Sequence, residues 1–520
     1  LEAASNPSLR QFLPSPLGSP DTAGDTPLYR FRDAHLALID DAVEALVHDL
    51  DVVDGLMRTM ATNDPRRPRF LRTLERALDA ADDVDRARAV LRPLLTTPAA
   101  ASAHRVVATG HAHIDTAWLW PIRETIRKCT RTFASAVRLM DEYPEYRFSC
   151  SQAQQYAWIE ERHPDLFERI TVKVRGGQWI PVGGMWVEAD MNLPSGESLA
   201  RQIVHGQRWF KAKFGVRCTE VWIPDVFGYP ASMPQLYAAG GMHRFVTQKL
   251  SWNTTNRFPH HTFWWEGLDG TRVLTHFPPV DTYNAEITPA EVVASAERFR
   301  DSAWSDWSLM PFGHGDGGGG PTREMLERAR RLTDVDGAPR VSIGTPAEFF
   351  ERVEREAFAG EDGNGAPVPV WRGELYFETH RGTLTSQLRT KEGNRRCERL
   401  LREVELWSAT LGEPADVDHL WREVLTQQFH DIIPGSSIAW VHHDAEQVHA
   451  GVIEALTARR DSLLDRLVPV GDHVVNPAGV ARDEVIDGPA APVRVRVTAS
   501  SVTALAEAAP GDDDDHVVTT

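Results

Sequence analysis

The apolar positions along the chain change period more than once, and the changes divide it into regions. Over residues 33 to about 95 they recur at helical spacing. DAHLALIDDAVEALVHDLDVVDGLM (33–57) predicts one amphipathic helix, and RFLRTLERALDAADDVDRARAVLRPLL (69–95) predicts one or two more. Asn63, Asp64 and Pro65 mark the turn between them, and TTPAAASAH (96–104) is a linker. From Val106 to about Phe350 short apolar runs alternate with helical stretches. YRFSC (146–150), EVWIP (220–224), RFVTQ (244–248), VLTHF (273–277) and LMPFG (309–313) read as buried strands. PDLFERI (164–170), GESLARQIVHGQRWFKAKFG (196–215) and TREMLERARRL (322–332) read as helices. Strand then helix, repeated, predicts a parallel sheet with crossover helices, and ligands in such folds sit beyond the C-terminal ends of the strands.

A Gly-, Asp- and Pro-rich linker, GEDGNGAPVPV (360–370), precedes the irregular stretch WRGELYFETHRGTLTSQ (371–387). Three helices follow, over 388–411, 416–431 and 444–467, and their apolar stripes predict an antiparallel bundle. After Pro469 the Val-rich stretches HVVNPAG and PVRVRVTASSV predict strands opening a β-domain. Two short strands do not make an independently stable sheet. The chain, ending in GDDDDHVVTT, therefore reads as part of a longer protein, or its strands dock on the bundle. Residues 1–30, rich in Pro, Ser, Gly and Asp, read as a tail. The division expected is 1–32 tail, 33–100 helical region, 101–360 catalytic domain, 371–468 bundle and 469–520 the start of a β-domain.

Four stretches carry candidate chemistry. In GHAHIDTAWLWP (110–121), residues two apart on a continuing strand face one way, so His113 and Asp115 project together with His111 behind them. An imidazole and a carboxylate converging at a strand end begin a divalent metal site. In WIPDVFGYP (222–230), Asp225 follows a strand, though a lone aspartate there also serves as a helix cap or turn former. In FGHGDGGGGP (312–321), glycines after Asp316 let the backbone approach something closely, or form a flexible loop; without a Lys-Ser/Thr pair it is not a P-loop. In QQFHDIIPGSS (427–437), His430 and Asp431 end a helix, where a histidine is favoured electrostatically even without a metal. Together His113, Asp115, Asp225 and His430 offer two nitrogens and two carboxylates to one ion. Asp225 and Asp316 would be the paired carboxylates of a glycosidase. Trp118, Trp120, Trp179, Trp186, Trp252 and Tyr283 would offer surfaces for sugar rings. The residues alone describe a metal-dependent hydrolase of the carbohydrate kind.

Composition narrows the partners. The 520 residues are 42% hydrophobic and 25% charged, as in globular proteins. A net charge of −18 argues against nucleic acid or an anionic membrane surface as the main partner. No apolar run reaches membrane-span length. The four cysteines, Cys129, Cys150, Cys218 and Cys397, have neither disulfide nor zinc-site spacing. LEAASNPSLRQF has no basic n-region and no apolar h-region, so no signal peptide is visible; the location expected for the protein is cytoplasmic.

The four motifs, in this order and at these separations, resemble glycoside hydrolase family 38, the class II α-mannosidases, of the bacterial and cytosolic/vacuolar type. The resemblance covers 33 to about 490. It implies a seven-stranded β/α barrel, a three-helix bundle and the start of a β-sandwich. It implies a retaining, exo-acting α-mannosidase acting on glycans with terminal α-mannose, with room for a homo-oligomer. It implies one Zn²⁺, or another divalent ion such as Co²⁺, per chain, bound by His113, Asp115, Asp225 and His430 and holding the sugar 2- and 3-hydroxyls. Asp225 would also be the nucleophile and Asp316 the acid/base. The Golgi-type enzymes carry Gly-Asp-Asp where this chain has Gly315-Asp316-Gly317. Trp118 and Asp431 would contact the sugar, and Tyr283 would join them. Two other readings stand beside this one. One is an amidohydrolase-like enzyme using His111 and His113 as a metal pair, which would need further histidines and usually a bridging lysine; Lys249 is the only lysine between Lys213 and Lys391. The other is a non-catalytic mannose-binding fragment.

Overall fold

The computed structural model describes residues 36–361, 367–468, 473–487, 492–505 and 509–510. The expected tail over 1–32, the middle of the 360–370 linker and the acidic C-terminus lie outside them. The chain forms two compact units. Of the described residues, the larger contains those up to Lys391 and also Leu425–Ala445; the smaller contains Glu392–Val424 and the described residues after Ala445. No helix among the described residues is long and apolar enough to cross a membrane.

In the larger unit the first expected helix begins later than its apolar pattern. It spans Asp41–Thr59 because the Asp40 side chain accepts hydrogen bonds from the Ala42 and Val43 amides, capping the N-terminus there. Leu36, Leu38 and Ile39 precede it and are exposed. The 69–95 stretch forms two helices, Arg67–Leu78 and Val84–Leu95, split where the Asp83 side chain caps the second through the Arg86 amide.

Among the described residues ten strands follow: β1 (Arg105–His111), β2 (Phe148–Cys150), β3 (Trp179–Pro181), β4 (Glu220–Trp222), β5 (Arg244–Val246), β6 (Thr262–Glu266), β7 (Arg272–His276), β8 (Trp307–Phe312), β9 (Arg340–Ile343) and β10 (Val370–Arg372). Pairing among the described residues divides them into two five-stranded sheets, β3-β2-β1-β8 with β9 also on β1, and β10-β6-β7-β5-β4. All pairings are parallel except β6 with β7. That exception departs from the all-parallel expectation. The link between β6 and β7 is a short turn around Gly267–Gly270, too short for a crossover helix, so the chain can only reverse. One apolar core joins the sheets: Val107, Trp222, Val246, Leu274 and Leu309 meet Phe349 and Phe350 of the helix Pro346–Glu361.

The smaller unit holds most of the helix Leu388–Thr410, the start of Asp418–Gln427 and most of Ala439–Leu467. Their buried faces carry Leu400, Leu401, Trp407, Trp421, Val452 and Leu456. The second helix ends at Gln427, so Phe429 to Asp431 belong to an irregular loop and not to the helix expected over 416–431. Beyond the helices, HVVN (473–476) pairs antiparallel with Ser501–Ala504, and Pro492–Val497 pairs with Arg482–Asp487, a strand absent from the sequence reading.

Candidate active site and metal centre

The loops at the C-terminal ends of the strands converge. His113 and Asp115 follow β1, Asp225 follows β4, Asp316 follows β8, and His430 comes from the loop after Asp418–Gln427. One ligand atom from each of His113, Asp115, Asp225 and His430 lies within 4.8 Å of the others, and all four residues are buried. His113 Nε2 is 2.9 Å from Asp115 Oδ1 and 4.0 Å from Asp225 Oδ2. His430 Nε2 is 3.4 Å from Asp115 Oδ1 and 3.5 Å from Asp225 Oδ2, and it has no hydrogen-bond partner. The two rings lie nearly parallel, 21° apart, with centroids separated by 5.5 Å.

The electrostatics of this cluster ask for a cation. Asp115, Asp225, Asp431 and Glu188 are all buried, with the Lys249 ammonium as their buried cationic neighbour, 2.6 Å from Asp225 Oδ1. Burial alone would strip protons from the histidines. The carboxylates outweigh it and push His113 well above its ordinary range and His430 up to about 10. A pocket that draws protons onto two buried imidazoles draws a divalent ion by the same field. Two imidazoles, two carboxylates and an orphaned Nε2 therefore fit a metal of the Zn²⁺ or Co²⁺ kind.

The two candidate catalytic carboxyls are pushed apart. Burial would raise Asp225, but Lys249 and the His430 and His113 rings hold it well below the usual carboxylate range. Asp316 goes the other way: burial raises it, with the Asp115 and Asp225 charges adding to the rise against His113. Asp316 is held in a left-handed conformation, φ 56°, and its Oδ1 accepts a hydrogen bond from the Tyr283 hydroxyl at 2.9 Å. The Tyr283 ring packs on His113, centroids 4.8 Å apart. The glycines after Asp316 do let the backbone approach something, namely the helix Ile122–Glu142: at Gly318, φ 79°, a Cβ would stand 2.6 Å from Thr132 Oγ1.

His111 is buried but turned away. Its Nδ1 meets the Ser149 carbonyl at 2.9 Å, and its Nε2 accepts the Trp222 indole N–H at 3.2 Å. Burial pulls it down to about 4, and no lone pair remains for a metal, which removes the histidine pair the amidohydrolase-like reading needs. Trp118 is half-buried and meets Trp120 edge-on. Asp431 is buried, raised to about 7 by burial and by the Asp115 charge, and bonded to the Ser436 hydroxyl. Trp179 is packed among Phe133, Phe148 and Tyr156, and Trp120 and Trp186 are also core, so these three offer no face to a ligand. Trp252 remains exposed beside Tyr283.

Two residues of the cluster escaped sequence reasoning. Lys249 was visible as an isolated lysine past a strand. Glu188 lies in GMWVEAD (184–190), past the end of β3, where the strand-end rule pointed but no histidine drew attention.

The chain matches the family description "Glycosyl hydrolases family 38 N-terminal domain" over residues 103–374 and "Alpha mannosidase middle domain" over 378–467. It belongs to glycoside hydrolase family 38. Among curated relatives it is 42% identical over 458 residues to human "Alpha-mannosidase 2C1", covering 86% of this chain and 43% of that protein. It is 43% identical over 380 residues to the "Alpha-mannosidase" of Saccharomyces cerevisiae, covering 70% of this chain and 34% of that one. The chain thus spans less than half the length of these relatives. Among solved structures it is similar in fold to an alpha-mannosidase from Enterococcus faecalis, with a TM-score of 0.64 at 18% identity over 74% of this chain and 46% of that one.

Proposed function

We propose that this family 38 chain carries the catalytic machinery of a retaining, exo-acting α-mannosidase that removes terminal α-linked mannose from glycans. The observation that carries the reading is the convergence of His113, Asp115, Asp225 and His430, buried, within 4.8 Å. In this reading these four hold one divalent cation, Zn²⁺ or Co²⁺. When bound it supplies a template for the sugar 2- and 3-hydroxyls and positive charge beside the reacting carbon.

Asp225, kept ionised by Lys249, attacks the anomeric carbon. As that bond forms, the bond from the anomeric carbon to the leaving oxygen breaks, and Asp316 gives its proton to that oxygen. A water then attacks the same carbon, passes a proton to Asp316, and Asp225 departs with its electron pair. Such a pair needs one carboxyl ionised and the other protonated, which suits the opposite directions of Asp225 and Asp316. Tyr283 orients Asp316, Trp118 offers a half-buried ring to the sugar, and Asp431 a carboxyl to its hydroxyls.

On the architecture, we read the two sheets as parts of one β/α barrel: the Gly183 amide past β3 donates to the Glu220 carbonyl of β4, and the Leu309 amide of β8 to His276 of β7. The helices 388–467 would be a three-helix bundle and the following strands the opening of a sandwich. A cytoplasmic setting suits four buried free cysteines.

The test is hydrolysis of 4-nitrophenyl α-mannoside, with and without a chelator, by the wild type and Asp225→Ala. Chelator-sensitive turnover lost in the variant supports the reading. Turnover unchanged in Asp225→Ala removes the nucleophile. Because the chain spans only part of its relatives, a second reading is kept: mannose binding that chelator abolishes, without turnover, would make it a binding fragment.

A further inference from the structure

The two histidines of the proposed centre come from positions 113 and 430, yet their rings are nearly parallel and each turns Nε2 toward the same two aspartates. One residue touches the other side of both. Glu188 Oε2 lies 3.1 Å from His113 Nδ1, and the Glu188 carbonyl oxygen accepts from His430 Nδ1 at 2.7 Å and from the His430 amide at 3.3 Å. We infer that Glu188 is a positioning residue for the metal centre, setting the tautomer and aim of both histidines, through its carboxylate for one and its main chain for the other. The inference rests on the metal-centre reading above.

The surroundings look built for this task. Glu188 is buried, and His113 is its ion-pair partner among the described residues, so no Lys or Arg explains why a carboxylate is kept there. Its other oxygen accepts from the Ser151 hydroxyl, and its amide donates to Gln152 Oε1 at 3.4 Å. Gln152 is itself buried in a left-handed conformation, φ 62°, and donates to the Ile114 carbonyl between the two N-terminal ligands at 3.1 Å. On the other side the Asp190 amide donates to the Gln428 carbonyl at 2.9 Å, and Ala189 forms an isolated antiparallel bridge with Phe429, so the loop 188–190 is tied to the loop 428–430. The stretch is seated on the helix Gly196–Phe214: a Cβ at Gly206 would lie 2.4 Å from the Met185 carbonyl carbon.

The chemistry follows from the imidazole. A neutral ring has one N–H and one lone pair. His430 Nδ1 meets the Glu188 carbonyl, which only accepts, so its lone pair sits on Nε2, toward Asp115 and Asp225. His113 Nδ1 is ion-paired with Glu188 Oε2 at 3.1 Å without a hydrogen bond formed, and in the inference it donates there when Nε2 takes the metal. A carboxylate behind a ligating histidine also makes the ring a stronger donor. His113 would lose both effects without the Glu188 side chain; His430 would keep its carbonyl partner as long as the backbone holds.

The experiment measures metal affinity directly. Wild type and Glu188→Gln are stripped of metal, and Co²⁺ is titrated against a chromophoric chelator while the cobalt absorption spectrum is recorded. Glu188→Gln is expected to bind roughly 10–100-fold more weakly with a changed spectrum. The thermal midpoint of its metal-free form should stay near wild type, and Glu188→Asp should recover part of the affinity. Equal affinity and an unchanged spectrum in Glu188→Gln would overturn the inference while leaving the metal centre standing. A wild type that binds no Co²⁺ would overturn the metal centre itself. Should Glu188→Gln fail to fold, Ser151→Ala, which frees the carboxylate to swing, is expected to weaken binding several-fold; wild-type affinity there would count against the inference.

Discussion

Two groups of buried and half-buried histidines in the larger unit behave in opposite ways. His113 and His430 are surrounded by Asp115, Asp225 and Glu188 and are pushed upward. His276 feels the charges of His261 and His104, and burial pulls all three down, His104 and His261 to about 4. His104 is half-buried and the other four are buried, yet the direction follows the partners. The His276 Nε2 accepts the Leu309 amide at 3.1 Å and the His261 Nδ1 accepts the Arg300 amide at 3.1 Å, so both rings are held neutral. Asp301 is beside them, but one of its oxygens accepts the His261 and Thr262 amides. The first group is a place for positive charge. The second is packing, and the same residue type in it is spent on satisfying backbone donors.

The comparison can be broken at several points. The largest effect should come from Asp225→Ala, which would remove the proposed ligand and the proposed nucleophile together: turnover of the aryl mannoside should fall by on the order of 10⁴-fold or more, and Co²⁺ affinity should fall with it. Asp316→Ala should cost about 10²–10⁴-fold with a poor leaving group, and much less with an activated one, since a good leaving group needs no proton; Co²⁺ affinity should be unchanged. Equal loss for both leaving groups would move the acid role elsewhere.

Acid should expose the second group. His104 and His261 have folded pKa values below that of the unfolded chain, so the unfolded state binds more protons between the two. Their contribution is complete above about pH 6.5 and is lost as pH falls toward 4, on the order of 2–3 kcal/mol for each. Unfolding of the larger unit, followed by denaturant titration from pH 7 to 4.5, should weaken accordingly, and His104→Gln should flatten the slope. A wild-type slope in that variant would show that His104 is not held neutral.

The smallest effect is expected at His111. It stands two residues from His113 in sequence, yet it keeps company with Ser149 and Trp222. His111→Gln should leave one Co²⁺ per chain by metal analysis and change turnover less than about 10-fold, where His430→Ala should lose the metal. Loss of metal in His111→Gln would erase the distinction between neighbour and ligand.

Much of this is legible in the sequence. The strand-to-loop transitions at Gly110, Asp225 and Asp316 follow from short apolar runs ending in polar or glycine residues, and a parallel sheet directs those ends to one side. What the pattern misjudged was local. The first helix waits for the Asp40 cap, the helix expected over 416–431 spans only Asp418–Gln427, and β6 and β7 pair antiparallel because their link is a tight turn.

The sequence by itself determined where most strands and helices lie, which of them carry histidine and aspartate at their ends, and the family, because periodicity and motif are short-range properties of the chain. Only the tertiary structure decided that position 430 meets positions 113, 115 and 225, that His111 is satisfied by an indole, and that Glu188 stands behind both ring systems. Those outcomes depend on which loops the packed sheets bring within a few ångströms, and on which buried donor each polar atom must satisfy. Neither is encoded in the spacing of residues along any one segment.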